Sequence, residues 1–359
     1  MENYQDLSAK LMTDCTLCPR NCHVNRLAGQ TGYCGQTAEL TAARASLHMW
    51  EEPCISGTGG SGTVFFSGCN LKCVFCQNHS IAVGEAGRRI TTEHLGKIFL
   101  SLQEQGANNV NLVTASHFVP QVYMALEWAK ARGLHVPVVY NTGSYESVET
   151  LKMLEGLVDV YLPDLKYHSS ALSLVYSHAE DYFTVATKAI EEMFRQVGHP
   201  VFMPEYCEKR QDYEHTEDYE RSESSGHRKD VLASANECSY LMTRGMIVRH
   251  LLLPGQTRDS KKILRYLHET YGNDIYISIM NQYTPLPHVA HIPELNRKVT
   301  AEEYDRVMQF ALRIGIENGF FQEGEAASAS KSVLYSTRYW LLTANVLSWL
   351  TYASPSVAL

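Results

Sequence analysis

The chain has 359 residues, of which 45% are hydrophobic and 19% charged, an ordinary composition for a globular protein with one large domain and some appendages. Its formal net charge of −8 argues against a general binder of nucleic acid or anionic membranes, because such proteins are normally basic. The polar, acidic N-terminus (residues 1–6) shows no secretory signal. Most of the ten cysteines stand at metal-ligand spacings, so we expect reduced thiols and a cytoplasmic location rather than a secreted disulfide framework.

The first motif is a set of four cysteines near the N-terminus with C-x2-C-x3-C-x11-C spacing: Cys15, Cys18, Cys22 and Cys34. Four soft ligands fit a tetrahedral zinc site or a second iron–sulfur cluster, and the spacing does not decide between them. The alternative is a structural cluster of reduced thiols without a metal. A site with four protein ligands has no vacancy for chemistry, so its role would be structural or electron-transferring.

From residue 63 onward, short β-rich runs alternate with helical patterns. This alternation predicts βαβ units and a parallel sheet with right-handed crossovers. The strands are expected at residues 63–67, 110–114, 136–141, 158–162, 246–253 and 275–280, and the helices at 92–105, 120–132, 144–155, 181–197 and 259–271. Six strands predict an α/β fold with a partial (β/α)6 barrel, in which ligands bind at the C-terminal strand ends.

Three further cysteines, Cys69, Cys73 and Cys76, follow the first of these strands with C-x3-C-x2-C spacing. A four-iron cluster normally takes one cysteine ligand for each iron, so three ligands would leave one iron open to a substrate. A zinc knuckle or three buried thiols are the alternatives from spacing alone.

Polar residues stand at the ends of the later strands, where a polar ligand is expected to bind. They are Ser116 and His117 after the second strand, Asn141 after the third, Asp164 and Lys166 after the fourth, and Arg249 and His250 in the fifth. Each pattern taken alone is also typical of a surface ion pair or a core histidine.

The C-x3-C-x2-C motif, with the aromatic Phe75 before its last cysteine, resembles the signature of radical SAM enzymes. The runs Gly62–Cys69, Asp164–Lys166 and Val248–Gly255, together with the N-terminal Cys-Pro-Arg-Asn-Cys, are similar to the PflX-type relatives of pyruvate formate-lyase activating enzymes. The similarity covers residues 13–204 and 238–328.

This resemblance implies a [4Fe–4S] cluster on Cys69, Cys73 and Cys76 whose open iron binds S-adenosylmethionine (SAM), and Phe75 would pack near the adenine. Asp164, Lys166 and Arg249 would help to bind the methionyl carboxylate, and Asn141 belongs to the same candidate set. Better-known activases hold the SAM amino group with a Gly-Gly-Glu segment. This chain has residues 114–117 there, so Ser116 or His117 takes that role.

The implied activity is reductive cleavage of SAM to a 5′-deoxyadenosyl radical that abstracts hydrogen, as in an activase acting on a glycyl-radical enzyme. The implied partners are a one-electron donor, such as a flavodoxin or ferredoxin, and a protein substrate. The alternatives are radical modification of a small molecule or RNA, which the net acidity disfavours, and an inactive metal-stabilised scaffold that binds partners.

The predicted organisation is an N-terminal extension (residues 1–60), a barrel (61–328) and a divergent tail (329–359). Residues 205–237 are densely charged and lack apolar periodicity, which indicates a loop inserted between the fourth and fifth strands. The glycine-rich residues 57–62 are expected to form a flexible entry into the barrel, and Cys54 to be a buried thiol. The tail is too interrupted by polar residues to span a membrane.

Overall fold

A computed structural model of the protein describes residues 4–205, 240–323 and 338–341. The helices of this part are α1 (Tyr4–Thr13), α2 (Pro53–Ser56), α3 (His79–Ala82), α4 (Thr92–Glu104), α5 (Val119–Lys130), α6 (Val148–Lys152), α7 (Ser170–Ser177), α8 (Tyr182–Val197), α9 (Thr257–Tyr271) and α10 (Ala301–Ile314). The strands are β1 (Thr41–His48), β2 (Ser61–Phe66), β3 (Arg88–Arg89), β4 (Val110–Val113), β5 (Val138–Thr142), β6 (Val160–Pro163), β7 (Val201–Pro204), β8 (Tyr240–Leu251), β9 (Tyr276–Met280), β10 (Gly319–Glu323) and β11 (Arg338–Leu341).

All strands belong to one mostly parallel sheet with the order β11-β10-β9-β8-β6-β5-β4-β2-β1-β3, and β7 pairs with β8. The six predicted strands are β2, β4, β5, β6, β8 and β9, and they pair with one another in parallel and in chain order. Helical crossovers between them force this arrangement. The predicted fold class is therefore confirmed.

Two additions extend the predicted sheet. β10 is a seventh parallel strand beside β9, and β1 pairs in antiparallel fashion with β2. The short apolar segment of β10 carries only two aromatic residues in a row, so its sequence gives little strand signal. β1 lies in the predicted N-terminal extension, which thus contributes directly to the sheet.

Four of the five predicted helices are present within a few residues of their expected bounds. α4 shows the expected one-sided burial, with Leu95, Phe99 and Leu102 against the sheet. The exception is α6, which spans five residues rather than the twelve expected. It begins late because Ser144 adopts a left-handed φ of 64° and the chain from 143 to 147 forms a loop.

The inside of the barrel is filled from the N-terminal side of the sheet by α2. Cys54 and Ile55 of this helix pack against Val139, Val160 and Ile247, which point inward from three strands. Cys54 is buried, as expected. Full burial of an aliphatic side chain such as Ile55 contributes roughly 1.5–3 kcal/mol, so α2 is an integral part of the barrel core.

The glycine-rich residues 57–62 form a close-packed turn rather than a flexible entry. A Cβ on Gly59 would lie 2.5 Å from the Gly106 carbonyl oxygen, and one on Gly62 would lie 2.8 Å from the Asn109 carbonyl oxygen. Gly60 has a left-handed φ of 82° and donates a hydrogen bond of 2.7 Å to Ser56. Glycine is needed here because neighbouring backbone fills the space of a side chain.

The predicted insertion and most of the tail lie outside the described residues, as do Cys207 and Cys238. Residues 338–341 of the tail form β11, which pairs in antiparallel fashion with β10. The division of the chain at residues 60 and 328 stays a prediction. Among the described helices, none is both long and apolar enough to cross a lipid bilayer.

Candidate functional site

The loop that follows β2 carries Cys69, Cys73 and Cys76 at the C-terminal edge of the parallel sheet, where the sequence predicts chemistry. Gly68 opens this loop with a φ of 86°, and Lys72 takes a left-handed φ of 48° between the first two cysteines. The Cys76 amide donates a hydrogen bond of 3.0 Å to the Cys73 carbonyl, which closes a tight turn. Cys73 is buried and the other two are partly exposed, so the three thiols share one short loop with limited access to solvent.

Two hydrogen-bond donors point at these sulfurs. The Leu71 amide donates to Cys69 Sγ at 3.3 Å, and the Ser177 hydroxyl donates to Cys73 Sγ at 3.0 Å. The Tyr167 hydroxyl lies 2.7 Å from Ser177 Oγ and fixes its position. Donors of this kind stabilise a sulfur that carries negative charge, as metal-bound thiolates do.

Burial, followed by the neighbouring Cys73 and Cys69 sulfurs, raises the pKa of Cys76 to about 12. Burial, followed by the effect of Cys73, also raises the pKa of Cys69. These thiols therefore hold their protons at neutral pH unless a cationic centre replaces them, which is the condition under which thiols act as metal ligands.

The donor set fits an iron–sulfur cluster. A cubane cluster takes one thiolate at each of several irons, and three soft thiols on one loop match that requirement. The loop would hold the cluster through Cys69, Cys73 and Cys76.

Phe75 packs inside an aromatic cluster beneath this loop. Its ring makes edge-on contacts with Tyr167, Tyr176 and Tyr283 at centroid distances of 6.2–6.3 Å. These contacts bury Phe75 and hold the loop against α7. Its predicted contact with adenine stays a prediction.

The charged strand-end residues converge on one buried network. Asp164 Oδ2 lies 2.6 Å from Lys166 Nζ, and Asp164 Oδ1 lies 2.8 Å from Arg249 Nε. Arg249 Nη2 donates a hydrogen bond of 2.6 Å to Asn141 Oδ1. Four of the predicted SAM contacts, from three different strands, are therefore neighbours in space. His250, next in the chain, points away and bonds to Leu165 and Ser260 as a core histidine does.

The ion pairs keep this network charged despite its burial. Burial by itself would raise the pKa of Asp164, but Arg249 and Lys166 outweigh it and hold that pKa below its usual value. Burial would lower the pKa of Lys166, and the Asp164 carboxylate reverses this and raises it. Two cations are thus held ready beside the cysteine loop, which suits recognition of a carboxylate.

Sequence reasoning missed two acidic members of the site, Glu51 and Glu52. Glu51 Oε2 lies 3.2 Å from Arg249 Nη1, although 198 residues separate the two in the chain. Burial raises the pKa of Glu52 to about 7; the Arg249 charge opposes this rise and the Glu51 charge contributes to it. In the sequence the pair reads as an exposed acidic loop before Pro53, and no local signal indicates that it enters the barrel.

Ser116 and His117 lie in separate buried hydrogen-bond networks. Ser116 Oγ donates to Glu146 Oε1 at 2.5 Å, and Thr142 Oγ1 donates to the same oxygen. His117 Nε2 lies 2.7 Å from the Ser67 carbonyl oxygen, and burial followed by the nearby Arg26 charge lowers the pKa of this histidine to about 3. Neither side chain bonds to the Asp164 network in the described part of the chain, so their contact with SAM stays a prediction.

The four N-terminal cysteines are brought together beside the catalytic loop. Burial raises the pKa of Cys18 to about 12, and the nearby Cys34 and Cys15 sulfurs add to the rise. Cys22 Sγ accepts a hydrogen bond of 3.3 Å from the Tyr33 amide, and the Cys22 and Cys15 sulfurs both act on the pKa of Cys34. Among the described residues, no group of three or more His, Cys, Asp or Glu side chains is arranged to hold one metal ion, so the four-cysteine site and its second metal stay predictions.

Arg20, between Cys18 and Cys22, joins this N-terminal cluster to the catalytic loop. Its guanidinium donates hydrogen bonds to the carbonyl oxygens of Asn70 at 2.8 Å and Ser177 at 2.9 Å, and also to that of His178. The guanidinium carbon also lies 3.9 Å from the centre of the Tyr33 ring. Arg20 therefore fixes the loop that carries Cys69 and Cys73 relative to α7.

A cavity of about 520 Å³ lies elsewhere, between α1, α6 and α8. Its lining includes Cys18, Glu146 and Lys188 but none of the three cysteines of the catalytic loop. We place the candidate site at the loop because the charged and sulfur-bearing groups converge there.

Comparison with known proteins agrees with this site. The profile of the Radical SAM superfamily matches residues 63–210. The uncharacterized protein MJ0674 of Methanocaldococcus jannaschii is 24% identical over 320 residues, which cover 87% of this chain and 78% of that protein.

Similar solved structures include SuiB of Streptococcus suis bound to the precursor peptide SuiA (TM-score 0.44, 11% identity, 71% of this chain and 46% of that chain). SuiB bound to S-adenosylmethionine gives a TM-score of 0.42 at 11% identity, over 71% of this chain and 48% of that one. HydG, a maturase of the [FeFe]-hydrogenase, gives a TM-score of 0.41 at 12% identity, over 70% of this chain and 49% of that one. The chain spans about half the length of these structures. The matched segment begins within β2 and contains the three-cysteine loop, Asp164 and Lys166, so residues 63–210 are similar to the radical SAM superfamily.

Proposed function

We propose that this protein is a radical SAM enzyme that binds a [4Fe–4S] cluster through Cys69, Cys73 and Cys76 and cleaves SAM to abstract hydrogen from a substrate. The observation that carries the proposal is the placement of three cysteines on one loop at the C-terminal end of the first parallel strand. Burial raises the pKa of Cys69 and Cys76, and Lys166 is close enough for its charge to oppose that rise. When bound, the cluster and SAM supply one-electron cleavage of the sulfonium to methionine and a 5′-deoxyadenosyl radical.

The protein's own groups bind and orient the ligand. Lys166 and Arg249 offer two cations for the methionyl carboxylate, and Asp164 holds both at distances below 3 Å. Asn141 restrains the guanidinium from its other side. The Ser177 hydroxyl and the Leu71 amide stabilise the thiolate ligands by donating hydrogen bonds to them.

We further propose that the hydrogen donor is a glycine in a protein substrate, as in activation of a glycyl-radical enzyme, and that a flavodoxin or ferredoxin in the cytoplasm supplies the electron. The similarity of the motifs to PflX-type sequences supports this choice. Radical modification of a small molecule is the second candidate function. The carboxylates of Glu51 and Glu52 inside the barrel favour it.

The proposal is tested by formation of 5′-deoxyadenosine. The protein is purified without oxygen, reconstituted with iron and sulfide, and given SAM and dithionite. We expect product from the wild type and none from Cys73→Ala, because that variant lacks one cluster ligand. Cys54→Ala is the matched control, since Cys54 is a buried thiol away from the loop, and it is expected to keep cluster and activity.

Iron content and thermal unfolding are measured on the same samples. A wild-type protein that holds its cluster but forms no 5′-deoxyadenosine would contradict the proposal and favour a metal-stabilised scaffold. In that case Cys73→Ala should chiefly lower stability.

A further inference from the structure

A chain of alternating charges runs from the cysteine loop into the barrel. Lys166 stands next to the loop, and Asp164, Arg249 and Glu51 follow at successive distances of 2.6, 2.8 and 3.2 Å. Glu52 lies beyond them, within reach of the Arg249 and Glu51 charges. The two glutamates therefore lie on the far side of Arg249 from the loop.

With every acidic group ionised, this chain of charges would carry one excess negative charge. Three carboxylates, those of Glu51, Glu52 and Asp164, share two cations, Lys166 and Arg249. His48 lies 3.9 Å from Glu51, but burial, followed by the Arg44 and Arg249 charges, lowers its pKa, so it adds no positive charge at neutral pH. Because burial raises the pKa of Glu52 to about 7, part of the protein holds this carboxyl neutral at pH 7, and one further positive charge nearby would favour its ionised form.

The same place holds polar atoms without partners. Glu52 is 6% exposed and Asn111 is fully buried, yet Glu52 Oε2 and both polar atoms of the Asn111 carboxamide lack hydrogen bonds of ordinary geometry within the described residues. Asn111 lies beside the Glu51 carboxylate. Buried polar atoms are normally paired. Since the Asn111 amide group can donate to Glu51, the acceptors that lack a donor are Glu52 Oε2 and Asn111 Oδ1.

We propose that Glu51, Glu52 and Asn111 bind an ammonium group of the substrate, an assignment that rests on the proposed function. An ammonium group carries one positive charge and three donors but no acceptor, which matches both the charge excess and the free oxygens of Glu52 and Asn111. The proposed function assigns the SAM carboxylate to Lys166 and Arg249 and the SAM amino group to Ser116 or His117, so we assign an ammonium group at Glu51 and Glu52 to a second molecule. This assignment favours the second candidate function, radical modification of a small molecule, with an amine whose charged end enters the barrel as the substrate class.

The site also gives the N-terminal extension a role in specificity. Glu51 and Glu52 precede α2, which fills the barrel from its other end, so the carboxylates are held by a packed helix and not by a mobile loop. A neutral or anionic group in the same place would leave both glutamates uncompensated and would bind poorly.

The test uses 1,4-diaminobutane as the probe and neutral 1,4-butanediol as its uncharged counterpart. Binding to the reconstituted protein with SAM, without reductant, is measured by anaerobic equilibrium dialysis for wild type, Glu52→Gln and Glu51→Gln. Glu192→Gln is the control, because Glu192 pairs with Arg195 on α8, outside the barrel. Thermal unfolding establishes that each variant is folded. If one of the two glutamate variants does not fold, the other provides the test.

We expect saturable binding of the diamine, none of the diol, and at least about tenfold weaker diamine binding in the glutamate variants but not in Glu192→Gln. The proposed amine site would be contradicted by the absence of saturable binding, by equal binding of the two probes, or by unchanged affinity in the folded glutamate variants. Bound water would then be the partner of these polar atoms. The same preparations are assayed for 5′-deoxyadenosine. Absence of that product alone overturns the proposed function, and loss of glutamate-dependent binding alone overturns the amine site.

Discussion

The carboxyl group of Glu146 is fully buried next to Ser116, which is a predicted SAM contact. Burial raises its pKa to about 7, although the hydroxyl groups of Ser116 and Thr142 donate hydrogen bonds that oppose the rise. The folded protein therefore keeps this proton up to higher pH than the unfolded chain, whose glutamates titrate near 4.5. The hydroxyl donors compensate the buried group without a counterion.

A pH-dependent stability follows from this single residue. Because the folded pKa is the higher one, the contribution of Glu146 is fully present below pH 4.5 and is lost as pH rises to about 7. The loss amounts to about 3 kcal/mol at 1.36 kcal/mol for each pKa unit. Glu146→Gln should remove that part of the decline in unfolding free energy between pH 5 and pH 8, measured with urea at both values. An unchanged decline in the variant would contradict the assignment.

Arg249 connects residues of the charged site that come from distant parts of the chain. Arg249 contacts Asp164 and Asn141 from neighbouring strands and Glu51 from the N-terminal segment. The strand-end position of Arg249 and the Asp-Leu-Lys motif could be read from the sequence, and the structure brings these residues together. Glu51 could not be found in this way because its contact is made across nearly two hundred residues.

At the scale of elements, the cysteine loop (residues 69–76) is held between β2, α7 and the N-terminal cysteine cluster. A Cβ on Gly68 would lie 2.6 Å from the Cys34 carbonyl oxygen, so loop and cluster are in backbone contact. The Val74 amide donates to the Tyr176 carbonyl oxygen at 2.9 Å, which attaches the loop to the end of α7. Arg20 connects all three.

Arg20→Met tests this connection. The variant keeps a long apolar stem but loses three hydrogen bonds to backbone carbonyls, so we expect faster amide hydrogen exchange in residues 69–76 and a loss of about 2 kcal/mol in unfolding free energy. Arg89→Met is the control, since Arg89 is an exposed arginine paired only with Glu39 on the surface. Exchange in the loop that equals the control would mean that Arg20 does not restrain it.

At the scale of the whole molecule, the first sixty residues are more closely joined to the barrel than an extension would be. β1 covers the edge of β2, and the α2 residues Cys54 and Ile55 complete the core inside the sheet. Arg26, almost fully buried, donates a hydrogen bond of 2.6 Å to the His117 carbonyl oxygen near the end of β4.

Deletion of residues 1–60 is therefore expected to abolish cooperative thermal unfolding, because it exposes an edge strand and empties the barrel interior. Deletion of residues 1–10, which removes most of α1, is the comparison and should leave a cooperative transition. The transitions are followed by circular dichroism. A stable, cooperative 61–359 chain would instead establish the predicted division at residue 60.

The sequence by itself determined the order of the six parallel strands, the loop with three cysteines and the class of chemistry, because alternating periodicity and ligand spacing are local properties of the chain. Only the tertiary structure decided that Glu51 and Glu52 enter the barrel, that Arg20 fastens the cysteine loop, and that Ser116 and His117 bond into separate buried networks. These contacts join residues far apart in the chain, and burial, which sets their charge and pairing, exists only once the sheet has formed.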